Sequence, residues 1–373
     1  MKIAVNTRFM LPGTHLEGVG RYTFEILNRL CVNHPEHTFY FFFDRKYDKK
    51  YIFAPNVVPI ILSPPARHPF IFIFWFEWSV RRALKKLKPD VFLSFDAMLS
   101  LLSDFRSVLV VHDLAYLHYP GYLPVSALWF YKYFMPRYIQ KAEKIVAVST
   151  FTANDVKSAF GVLDEKISVA WNALPATFDQ NMADTARPLD VPYFIVPGAI
   201  SERKNTLNIL LAFEKFLRIH PTDEIRLVFA GGFMFPLQGE VKKRWTVLQK
   251  AGYLVHIDKP DDGRMRQWIS HARALIYVSL FEGFGIPILE GLAMEVPVIT
   301  SNVSSMPEVA GEAALCVDPL QPDAICLAME AMSNDETRKS LIKLGKEQLK
   351  KFDWNRSVEH IYQCLVSVAE NKK

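Results

Sequence analysis

Short apolar runs alternate with helical patterns along the whole of this 373-residue chain. The runs are rich in Val, Ile, Phe and Leu, and turn residues bound each of them. Continuous apolar runs of this length are typical of strands buried on both faces, and the helical patterns fit the crossovers that parallel strands need. The runs are KIAV, HTFYFFF, VVPIIL, DVFLS, SVLVVH, KIVAVS and KISVAW in the first half, and YFIVPG, IRLVFAG, LVHI, ALIYVS, VPVITS and ALCVD in the second.

The two halves share this alternation, which predicts two doubly wound α/β domains. We place the first domain at residues 1–185 and the second at residues 190–354. The join is predicted within residues 178–192, because this polar stretch carries two prolines and no clear periodicity. Two such domains would face a central cleft, and open parallel sheets bind ligands beyond the carboxyl ends of their strands. Residues that directly follow a strand are therefore the first candidates for chemistry.

The composition indicates a cellular compartment, and it shows that net charge is distributed unevenly along the chain. The four cysteines form no C-x-x-C pair, which favours free thiols in a reducing, cytoplasmic setting. The start MKIAVNTRFML lacks the apolar core of a secretion signal, and the most apolar stretch, FIFIFWF, is too short to span a bilayer. The net charge of +5 lies in residues 1–190, because acids and bases balance in the rest. The excess fits an anionic partner, and it also fits a chance scatter of surface lysines.

Two glutamates flank a glycine-containing turn after the run ALIYVS. Glu282 lies in the predicted loop, and Glu290 lies about one turn into the helix whose first position we assign to Pro287. A helix start that follows glycines offers free N–H groups and a positive dipole end, which suit phosphate. The carboxylates would accept hydrogen bonds from hydroxyls on either side of a diphosphate. The plainer alternative is a solvated loop acid and a glutamate that only complements the helix dipole.

Arg203 and Lys204 follow the first strand of the second half, and Asn205 and Thr206 are suited to begin the next helix. Two adjacent cations at a strand end can clamp a diphosphate and neutralise its charge as it leaves. A solvated surface pair is the common alternative. The glycines of AGG, residues 230–232, either let the backbone approach a ligand or only form a turn.

The first half has two candidates after its strands. Gly18 and Gly20 precede a predicted helix, without the dinucleotide fingerprint because Thr23 replaces its third glycine. They would form a flexible floor under phosphate or an acceptor. His112 ends the run SVLVVH and would donate to a sugar hydroxyl or take part in proton transfer. A structural histidine paired with Asp113 is the alternative.

Several signatures are absent from the sequence. There is no D-x-D, the carboxylate pair that usually holds a metal-bound nucleotide sugar. A Walker A loop, a G-x-S-x-G elbow and an H-E-x-x-H helix are missing too, which argues against ATPase, serine hydrolase and zinc protease classes.

Together these stretches resemble glycosyltransferase family 4, the retaining nucleotide-sugar enzymes of GT-B architecture, over nearly the whole chain. Residues 279–319 carry the densest likeness, since SLFEGFGIPILEG is similar to the E-x7-E region of that family. Further matches are EGVGRYTFEIL, VVHDLAYLHYP, VSTFTANDV, SERKN and FDW. The resemblance implies two Rossmann-like domains, hexosyl transfer, and a C-terminal helix at residues 355–373 that packs back on the first domain.

The resemblance implies a role for each matching residue of the second half. Glu290 would bind the ribose hydroxyls of the nucleotide, and Glu282 would contact hydroxyls of the donor sugar. The diphosphate would be held by four positions: Arg203, Lys204, and the backbone at Phe284 and Gly285.

In the first half, the resemblance places His112 at the donor sugar near the reacting carbon, and Gly18 and Gly20 on the phosphate and acceptor side. Cations and a helix dipole would stabilise the leaving diphosphate, and attack would come from the front face with retention. No metal and no cofactor are therefore expected besides the nucleotide-sugar donor.

Three departures from the family pattern concern a phosphate contact, the domain junction and the base-binding loop. Ala199 stands where the family often has Arg, and Ala173 stands where it often has Gly. The segment HIDKPDDGRMRQWISHARA has no glycine where the family has one in its base-binding loop, although it contains Gly263. GDP-linked and UDP-linked donors both stay open, with GDP-mannose first because TSNVSSMPE resembles mannosyl-transferring relatives.

Residues 68–89, HPFIFIFWFEWSVRRALKKLKP, combine aromatic side chains with five cations. One interpretation is a surface for an anionic membrane, which would bring a lipid-linked acceptor to the enzyme. The other is a helix with an aromatic core side and a solvated basic side.

The predicted function is therefore a cytoplasmic, metal-independent retaining glycosyltransferase that builds a cell-envelope glycan. Its partners would be a nucleotide-sugar donor, a glycan or lipid-linked acceptor, and the inner face of a membrane, with no nucleic acid. A nucleotide-sugar epimerase of similar fold is the enzymatic alternative, and a non-catalytic scaffold is the third hypothesis.

Overall fold

The computed structural model describes residues 1–13, 16, 18–66, 68–178 and 186–370. The chain forms two compact units. Unit 1 comprises residues 1–172 together with the segment that begins at Asp353, and unit 2 comprises residues 173–352. The join predicted at 178–192 includes residues 179–185, which lie outside the described residues.

Unit 1 is built on one parallel sheet. Its strands are β1 (Lys2–Asn6), β2 (Thr38–Phe43), β3 (Val57–Ile61), β4 (Val91–Ser94), β5 (Ser107–Val111), β6 (Lys144–Ala147) and β7 (Ile167–Val169). They lie in the order β3-β2-β1-β4-β5-β6-β7. Every residue of β4 and β5 is buried, which explains why these strands read as unbroken apolar runs.

The helices that cover this sheet are short and medium in length. They are α1 (Gly18–Asn33), α2 (Pro69–Phe74), α3 (Arg81–Leu87), α4 (Ala115–His118), α5 (Val125–Lys141) and α6 (Thr150–Phe160). A π-helical stretch, Trp75–Val80, joins α2 to α3. Single 3₁₀ turns occur at Lys49–Tyr51, Pro120–Tyr122 and Asp164–Lys166.

Unit 2 repeats the architecture with six parallel strands. They are β8 (Tyr193–Pro197), β9 (Arg226–Ala230), β10 (Leu254–Ile257), β11 (Ala274–Tyr277), β12 (Val298–Ser301) and β13 (Ala314–Val317), in the order β10-β9-β8-β11-β12-β13. Its helices are α7 (Thr206–Ile219), α8 (Gly239–Lys250), α9 (Asp262–Ser270), α10 (Ile286–Ala293), α11 (Met306–Ala310), α12 (Pro322–Ala331) and α13 (Asp335–Leu349), after a 3₁₀ turn at Ala176–Phe178.

The last helix, α14 (Trp354–Glu370), belongs to unit 1. The ring of Trp354 meets that of Tyr22 on α1 edge to face, with centroids 5.7 Å apart. Oγ of Ser357 donates to the carbonyl oxygen of Trp171 over 2.6 Å. These contacts fasten the end of the chain to the first sheet. None of the described helices has the length and apolar character needed to cross a membrane.

Strand order reverses at the first strand of each sheet, between β1 and β4 in unit 1 and between β8 and β11 in unit 2. All the apolar runs predicted as strands form strands, and the predicted class of two doubly wound α/β domains is confirmed. Because ligands of open parallel sheets bind outside the carboxyl ends at such reversals, these two edges are where a site is expected.

Candidate functional site

Unit 2 brings three predicted site residues together where its strand order reverses. Arg203 and Lys204 lie in the loop after β8, and Glu282 lies in the loop after the neighbouring strand β11. Nη1 of Arg203 is 2.8 Å from Oε2 of Glu282, and Nζ of Lys204 is 2.7 Å from Oε1. One carboxylate thus pairs with both cations, which leaves one positive charge in excess.

Burial strengthens the interactions within this cluster. Glu282 is only 8% exposed. Burial by itself raises the pKa of Glu282, but Lys204 and Arg203 outweigh it and lower that pKa to about 2. Burial lowers the pKa of Lys204, and the Glu282 carboxylate acts in the opposite direction. Glu282 is therefore ionised at neutral pH and fixes the two cations in position.

Tyr277, the last residue of β11, is a further member of the cluster. Nζ of Lys204 donates to its hydroxyl over 2.7 Å and lies 4.5 Å from the ring centroid. Burial raises the pKa of Tyr277 well above its usual value, so the hydroxyl stays neutral. The sequence pattern did not single out Tyr277, because a tyrosine inside an apolar run is expected to be core.

The loop that carries Glu282 is held by two serines. The backbone N–H of Glu282 donates to Oγ of Ser304 over 3.1 Å. Oγ of Ser305 donates to the carbonyl oxygens of Glu282 and Phe284, at 2.9 and 2.7 Å. The Phe284 side chain is buried against Phe352. Both serines belong to the segment TSNVSSMPE, whose likeness to mannosyl-transferring relatives does not indicate this structural role.

The same loop leads into α10 through Gly285, which has a φ of +113° that favours glycine. Pro287 is the second residue of α10, one place later than predicted. Glu290 is half-buried about one turn into the helix, as predicted. Its charge raises the pKa of Lys204, which ties Glu290 electrostatically to the cluster. The structure therefore gathers Arg203, Lys204, Glu282 and Glu290 at one edge of unit 2.

The structure changes two nearby predictions, which concern Asn205 and the glycines of AGG. Thr206 begins α7 as expected, but Asn205 does not cap the helix with its side chain. Its amide instead donates to the carbonyl oxygens of Val278 and Pro319, at 3.0 and 2.6 Å. A Cβ atom on Gly231 would lie 2.0 Å from the carbonyl oxygen of Gly198, so this glycine lets two strand ends pack together rather than admitting a ligand.

In unit 1, His112 directly follows β5. Its Nε2 lies 2.9 Å from the carbonyl oxygen of Phe95. Because a carbonyl only accepts, Nε2 carries the proton, and Nδ1 of the neutral ring is left as an acceptor. Among the described contacts, no hydrogen bond joins the ring to Asp113, whose carboxylate accepts from the N–H of Ala115 over 3.0 Å and whose charge acts to raise the pKa of His112. Burial lowers the pKa of His112, which favours the neutral ring.

Gly18 and Gly20 are the first and third residues of α1, whereas the sequence pattern placed both before the helix. Gly18 has a φ of +50°, and a Cβ atom on Gly20 would lie 2.7 Å from the carbonyl oxygen of Phe9. Gly20 therefore lets α1 pack against the chain that leaves β1. Residues 14, 15 and 17 of the preceding loop lie outside the described residues. The predicted phosphate or acceptor role of both glycines stays a prediction.

Arg8 and Asp96 form a buried ion pair that the sequence patterns did not indicate. They follow β1 and β4, the strands at which the order of unit 1 reverses. Nη2 of Arg8 lies 2.7 Å from Oδ2 of Asp96, and Nδ2 of Asn6 donates to Oδ1 over 2.8 Å. The Arg8 guanidinium lies 4.1 Å from the ring centroid of Phe72. Arg8 and Asp96 are far apart in the sequence, and no motif near either residue indicates that the two will form an ion pair.

Among the described residues, one buried tyrosine hydroxyl near this edge has no hydrogen-bond partner, and a second tyrosine packs against its ring. Burial raises the pKa of Tyr131, and the charges of Arg8, Asp96 and Asp113 also act on this pKa. The ring of Tyr131 stacks on Tyr116 at 5.5 Å. Within the part of the chain that the structure describes, the buried hydroxyl of Tyr116 has no hydrogen-bond partner. Such groups suit a ligand that brings its own polar atoms.

Potential metal ligands occur elsewhere in unit 1. Among the described residues, one group has the required spacing, formed by His34, Glu36 and His37 with ligand atoms within 4.8 Å. It precedes β2, so it lies at the amino end of that strand, whereas His112 follows the carboxyl end of β5. The ring of His34 stacks on Tyr362 at 3.6 Å. This group is no part of the candidate site.

Two family models match adjacent parts of the chain. The model described as Glycosyltransferase Family 4 matches residues 16–177, and the one described as Glycosyl transferases group 1 matches residues 177–348. The change from one to the other falls close to the start of unit 2 at residue 173.

Among characterised relatives, the chain is similar to bacterial mannosyltransferases. It is 27% identical over 261 residues to O-antigen chain mannosyltransferase B of Escherichia coli, which covers 67% of each chain. It is 25% identical over 276 residues to O-antigen chain mannosyltransferase RfbU of Salmonella typhimurium, which covers 71% of each. Both names are those of transferases, so the epimerase alternative is not favoured.

Among solved structures, the chain is similar to HepE of Anabaena, which was crystallised with UDP-glucose. The TM-score is 0.69 over 98% of this chain and 100% of that one, at 15% identity. An identity this low speaks for the fold alone. The two adjoining family models, the transferase relatives and the pair of doubly wound sheets agree, and the chain belongs to glycosyltransferase family 4 as a glycosyltransferase of the GT-B fold.

Proposed function

We propose that this glycosyltransferase moves a mannosyl residue from a nucleotide diphosphate sugar to a glycan or lipid-linked acceptor in cell-envelope polysaccharide synthesis. The two mannosyltransferase relatives with O-antigen names support the sugar and the pathway class. GDP-mannose is the first candidate donor. A UDP-linked donor is the second, because HepE was solved with UDP-glucose.

The observation that carries the proposal is the pairing of Arg203 and Lys204 with the single carboxylate of Glu282. The ion pairs hold two cations side by side at a strand end before any ligand arrives. A diphosphate brings more negative charge than one carboxylate, so it can displace Glu282 from part of these contacts. Cations that are already in place cost little reorganisation when charge develops on the leaving group.

Lys204 can still donate to a ligand. Its Nζ donates to the Tyr277 hydroxyl and forms an ion pair with Oε1 of Glu282, an oxygen that has no hydrogen-bond partner among the described residues. A phosphate oxygen would accept a further N–H of Lys204. In the same step the Glu282 carboxylate becomes available to accept from hydroxyls of the donor sugar, which is the role that the family resemblance implies for it.

The start of α10 supplies the second phosphate contact in the proposal. The loop through Phe284 and Gly285 precedes the helix, and the positive end of the helix dipole favours an anion there. Glu290, one turn further on, is proposed to accept from the ribose hydroxyls. Cations and helix dipole together would stabilise the leaving diphosphate without a metal ion, and transfer would retain the anomeric configuration.

For His112, the tautomer changes the form of the predicted contact. Nε2 is committed to Phe95, so the neutral ring would accept a hydrogen bond from a sugar hydroxyl through Nδ1 rather than donate one. The lowered pKa of His112 keeps it in this state at neutral pH.

The acceptor side of the proposal includes peripheral contact with a membrane through unit 1. A lipid-linked acceptor is presented at a membrane surface, and the basic segment at residues 68–89 is in unit 1. Gly18 and Gly20, at the start of α1, are proposed to line the phosphate and acceptor side.

Thermal shift with GDP, UDP, ADP and dTDP tests the donor, because a ligand that binds only the folded state raises its apparent stability. The expected result is the largest shift with GDP, followed by transfer of labelled mannose from GDP-mannose in the presence of a metal chelator. Transfer that stops when the chelator is added contradicts metal independence. A glycoside product whose anomeric configuration is inverted relative to the donor contradicts retention. Absence of a shift with all four nucleotides contradicts the donor site itself.

A further inference from the structure

His34 and His37 are the two ends of a tight turn between α1 and β2. The turn has the sequence HPEH, and the backbone N–H of His37 donates to the carbonyl oxygen of His34 over 3.2 Å. Proline at the second position of such a turn fixes its backbone. Nδ2 of Asn56 also donates to the His34 carbonyl oxygen, over 3.1 Å. The backbone therefore holds the two imidazoles and the intervening Glu36 on one short loop.

One carboxylate oxygen of this turn is close to both imidazoles. Oε1 of Glu36 is 3.4 Å from Nδ1 of His34 and 3.3 Å from Nε2 of His37. Two ligand atoms on a tetrahedral Zn²⁺ are about 3.4 Å apart, given zinc–ligand bonds of about 2.1 Å. The three ligand atoms all lie within 4.8 Å of one another, so small side-chain rotations can bring them to one ion. The spacing therefore fits a shared metal ion.

Tyr362 of α14 covers one side of the turn. Its ring stacks on His34 with centroids 3.6 Å apart, and its hydroxyl lies 3.1 Å from Nε2 of His37. Burial raises the pKa of Tyr362, and the charges of Glu36 and of two glutamates on α14 act in the same direction. These charges make the potential at the hydroxyl negative, which favours a cation at the turn.

The buried ring of His37 is in a state that can bind a metal. Burial lowers the pKa of His37, and the α-amine of Met1, 3.0 Å from Nδ1, lowers it further. A neutral imidazole is the form that binds metal ions. With a metal on Nε2, the proton of the ring moves to Nδ1, where the Met1 amine accepts it once neutral. Binding therefore replaces the contact between Nε2 and the Tyr362 hydroxyl and releases a proton.

We propose that His34, Glu36 and His37 bind Zn²⁺ or a similar transition-metal ion. Two imidazole nitrogens and one carboxylate oxygen suit such an ion, whereas Mg²⁺ and Ca²⁺ prefer oxygen ligands. The fourth position is open to the Tyr362 hydroxyl or to a water. The ion holds the turn against Tyr362 and so adds to the contacts that fasten α14 to unit 1.

This metal takes no part in glycosyl transfer. The turn precedes β2, so it lies at the amino end of that strand. Ligands of open parallel sheets bind beyond the carboxyl ends of the strands, which is where Arg8, Asp96 and His112 of the same unit lie. The ion is expected to stabilise unit 1 and to leave the chemistry of the donor unchanged.

Titration of the full-length protein with Zn²⁺, in the absence of any sugar nucleotide, tests the proposal. The protein is first stripped with a chelator, which is then removed. Calorimetry is expected to show one tightly bound Zn²⁺ per chain, and Zn²⁺ is expected to raise the melting temperature, because it binds the folded state. Mg²⁺ and Ca²⁺ at the same concentration should do neither. Co²⁺, used as a coloured probe, should give visible absorption without a thiolate band.

His34→Gln with Glu36→Gln removes two ligands and leaves the buried ring of His37 in place. The Zn²⁺ affinity is expected to fall by more than about 100-fold, because even the neighbours that orient metal ligands contribute about 10- to 100-fold. The matched control is His220→Gln with Glu330→Gln, which removes a histidine and a glutamate 3.7 Å apart in unit 2. It is expected to keep the wild-type affinity.

A single substitution guards against a folding defect. Glu36 is 56% exposed, so Glu36→Gln should melt like the wild type without metal and bind Zn²⁺ at least about tenfold more weakly. Melting curves of every variant without metal check that it folds.

Four results overturn the proposal. They are absence of Zn²⁺ binding by the wild type, equal affinities of the test and control variants, equal binding of Mg²⁺, and a cobalt spectrum with a thiolate band. The last would place the ion on a cysteine such as the exposed Cys316. Because binding is measured without sugar nucleotide, a failed mannosyl transfer assay leaves this result unchanged, and absence of Zn²⁺ binding leaves the donor site unchanged.

Discussion

Nζ of Lys204 donates a hydrogen bond to the hydroxyl of Tyr277 over 2.7 Å and lies 4.5 Å from the centroid of the same ring. The last residue of β11 thus directs a cation from the loop after β8. Both contacts use groups buried away from water, where hydrogen bonds and charges act more strongly. The pair limits the directions in which Lys204 can donate to a phosphate.

Tyr277→Phe removes one hydrogen bond of Lys204 and keeps the ring. We expect the affinity for the preferred nucleoside diphosphate to fall about fivefold, the usual value of one hydrogen bond of about 1 kcal/mol. Titration calorimetry measures it. Tyr253→Phe, a half-buried tyrosine of the same unit, is the control. Equal affinities of the two variants would show that Tyr277 does not position Lys204.

Glu282→Gln tests the electrostatic strength of the cluster. The folded-state pKa of Glu282 is lowered from 4.5 to about 2. Its ion pairs therefore stabilise unit 2 above pH 4.5, and this contribution disappears as the pH falls to about 2. We expect the substitution to lower the free energy of unfolding at pH 7 by about 3 kcal/mol.

Urea unfolding followed at several pH values measures this effect. The variant is expected to lose less stability than the wild type between pH 4.5 and about 2, because the titrating carboxylate is gone. Glu312→Gln, at an exposed acid of unit 2, is the control and should follow the wild type. If the free energy of unfolding of Glu282→Gln fell with pH as it does in the wild type, the result would be incompatible with the buried ion pairs.

Arg203→Ala tests the stabilisation of the leaving diphosphate. We expect kcat/KM for transfer to fall on the order of 10²- to 10³-fold, the effect of removing one preorganised electrostatic contact. Arg203→Lys should recover part of it. Arg338→Ala, at a half-buried arginine of α13 that pairs with Asp335, serves as the control. If the Arg203→Ala, Lys204→Ala double variant and Glu290→Ala both keep normal transfer, the assignment of the donor site is wrong.

The tautomer of His112 can be observed directly. Nitrogen NMR of the ring is expected to show a protonated Nε2 and a bare Nδ1 at neutral pH, because Nε2 faces the carbonyl of Phe95. Burial lowers the pKa of His112, so the ring should titrate below the ordinary value of about 6.5. The spectrum of His112→Asn assigns the signal. A proton on Nδ1 would reverse the direction of the sugar contact.

Asp96→Asn is expected to destabilise unit 1 by about 3 kcal/mol, because it leaves the buried Arg8 cation without its partner. Chemical unfolding measures the loss. Asp104→Asn, at an exposed acid of the same unit, should change little. Replacing both partners, with Arg8→Met and Asp96→Leu, should recover stability relative to Asp96→Asn. A single variant as stable as the wild type would mean that the pair is not buried in solution.

Local patterns were enough for the elements and the class of fold. Every apolar run predicted as a strand became one, since burial on both faces of a parallel sheet requires a continuous apolar sequence. The position of Glu290 one turn into α10 was predictable, because glycine and proline mark a helix start within a few residues. These features depend on neighbours in the chain, which is why the chain order reveals them.

Local patterns did not predict which residues from separate strands would pair with one another. Arg203 and Lys204 were predicted to hold a phosphate, and Glu282 to contact a sugar, but nothing local indicated that the three would pair with one another. The aromatic segment at residues 69–80 shows the same limit. Its composition left open a core helix or a membrane surface, and the structure gives it both a buried side and an exposed one.

The sequence by itself determined two parallel α/β units, the helix start after β11 and the residue types that could meet a sugar diphosphate. Only the tertiary structure decided that Glu282 joins Arg203 and Lys204, that Asp96 joins Arg8, and that His112 keeps its proton on Nε2. The physical reason is strand order. Side chains after β1 and β4, or after β8 and β11, become neighbours because the sheet reverses there, and that adjacency is set by the packing of whole elements rather than by any short stretch of chain.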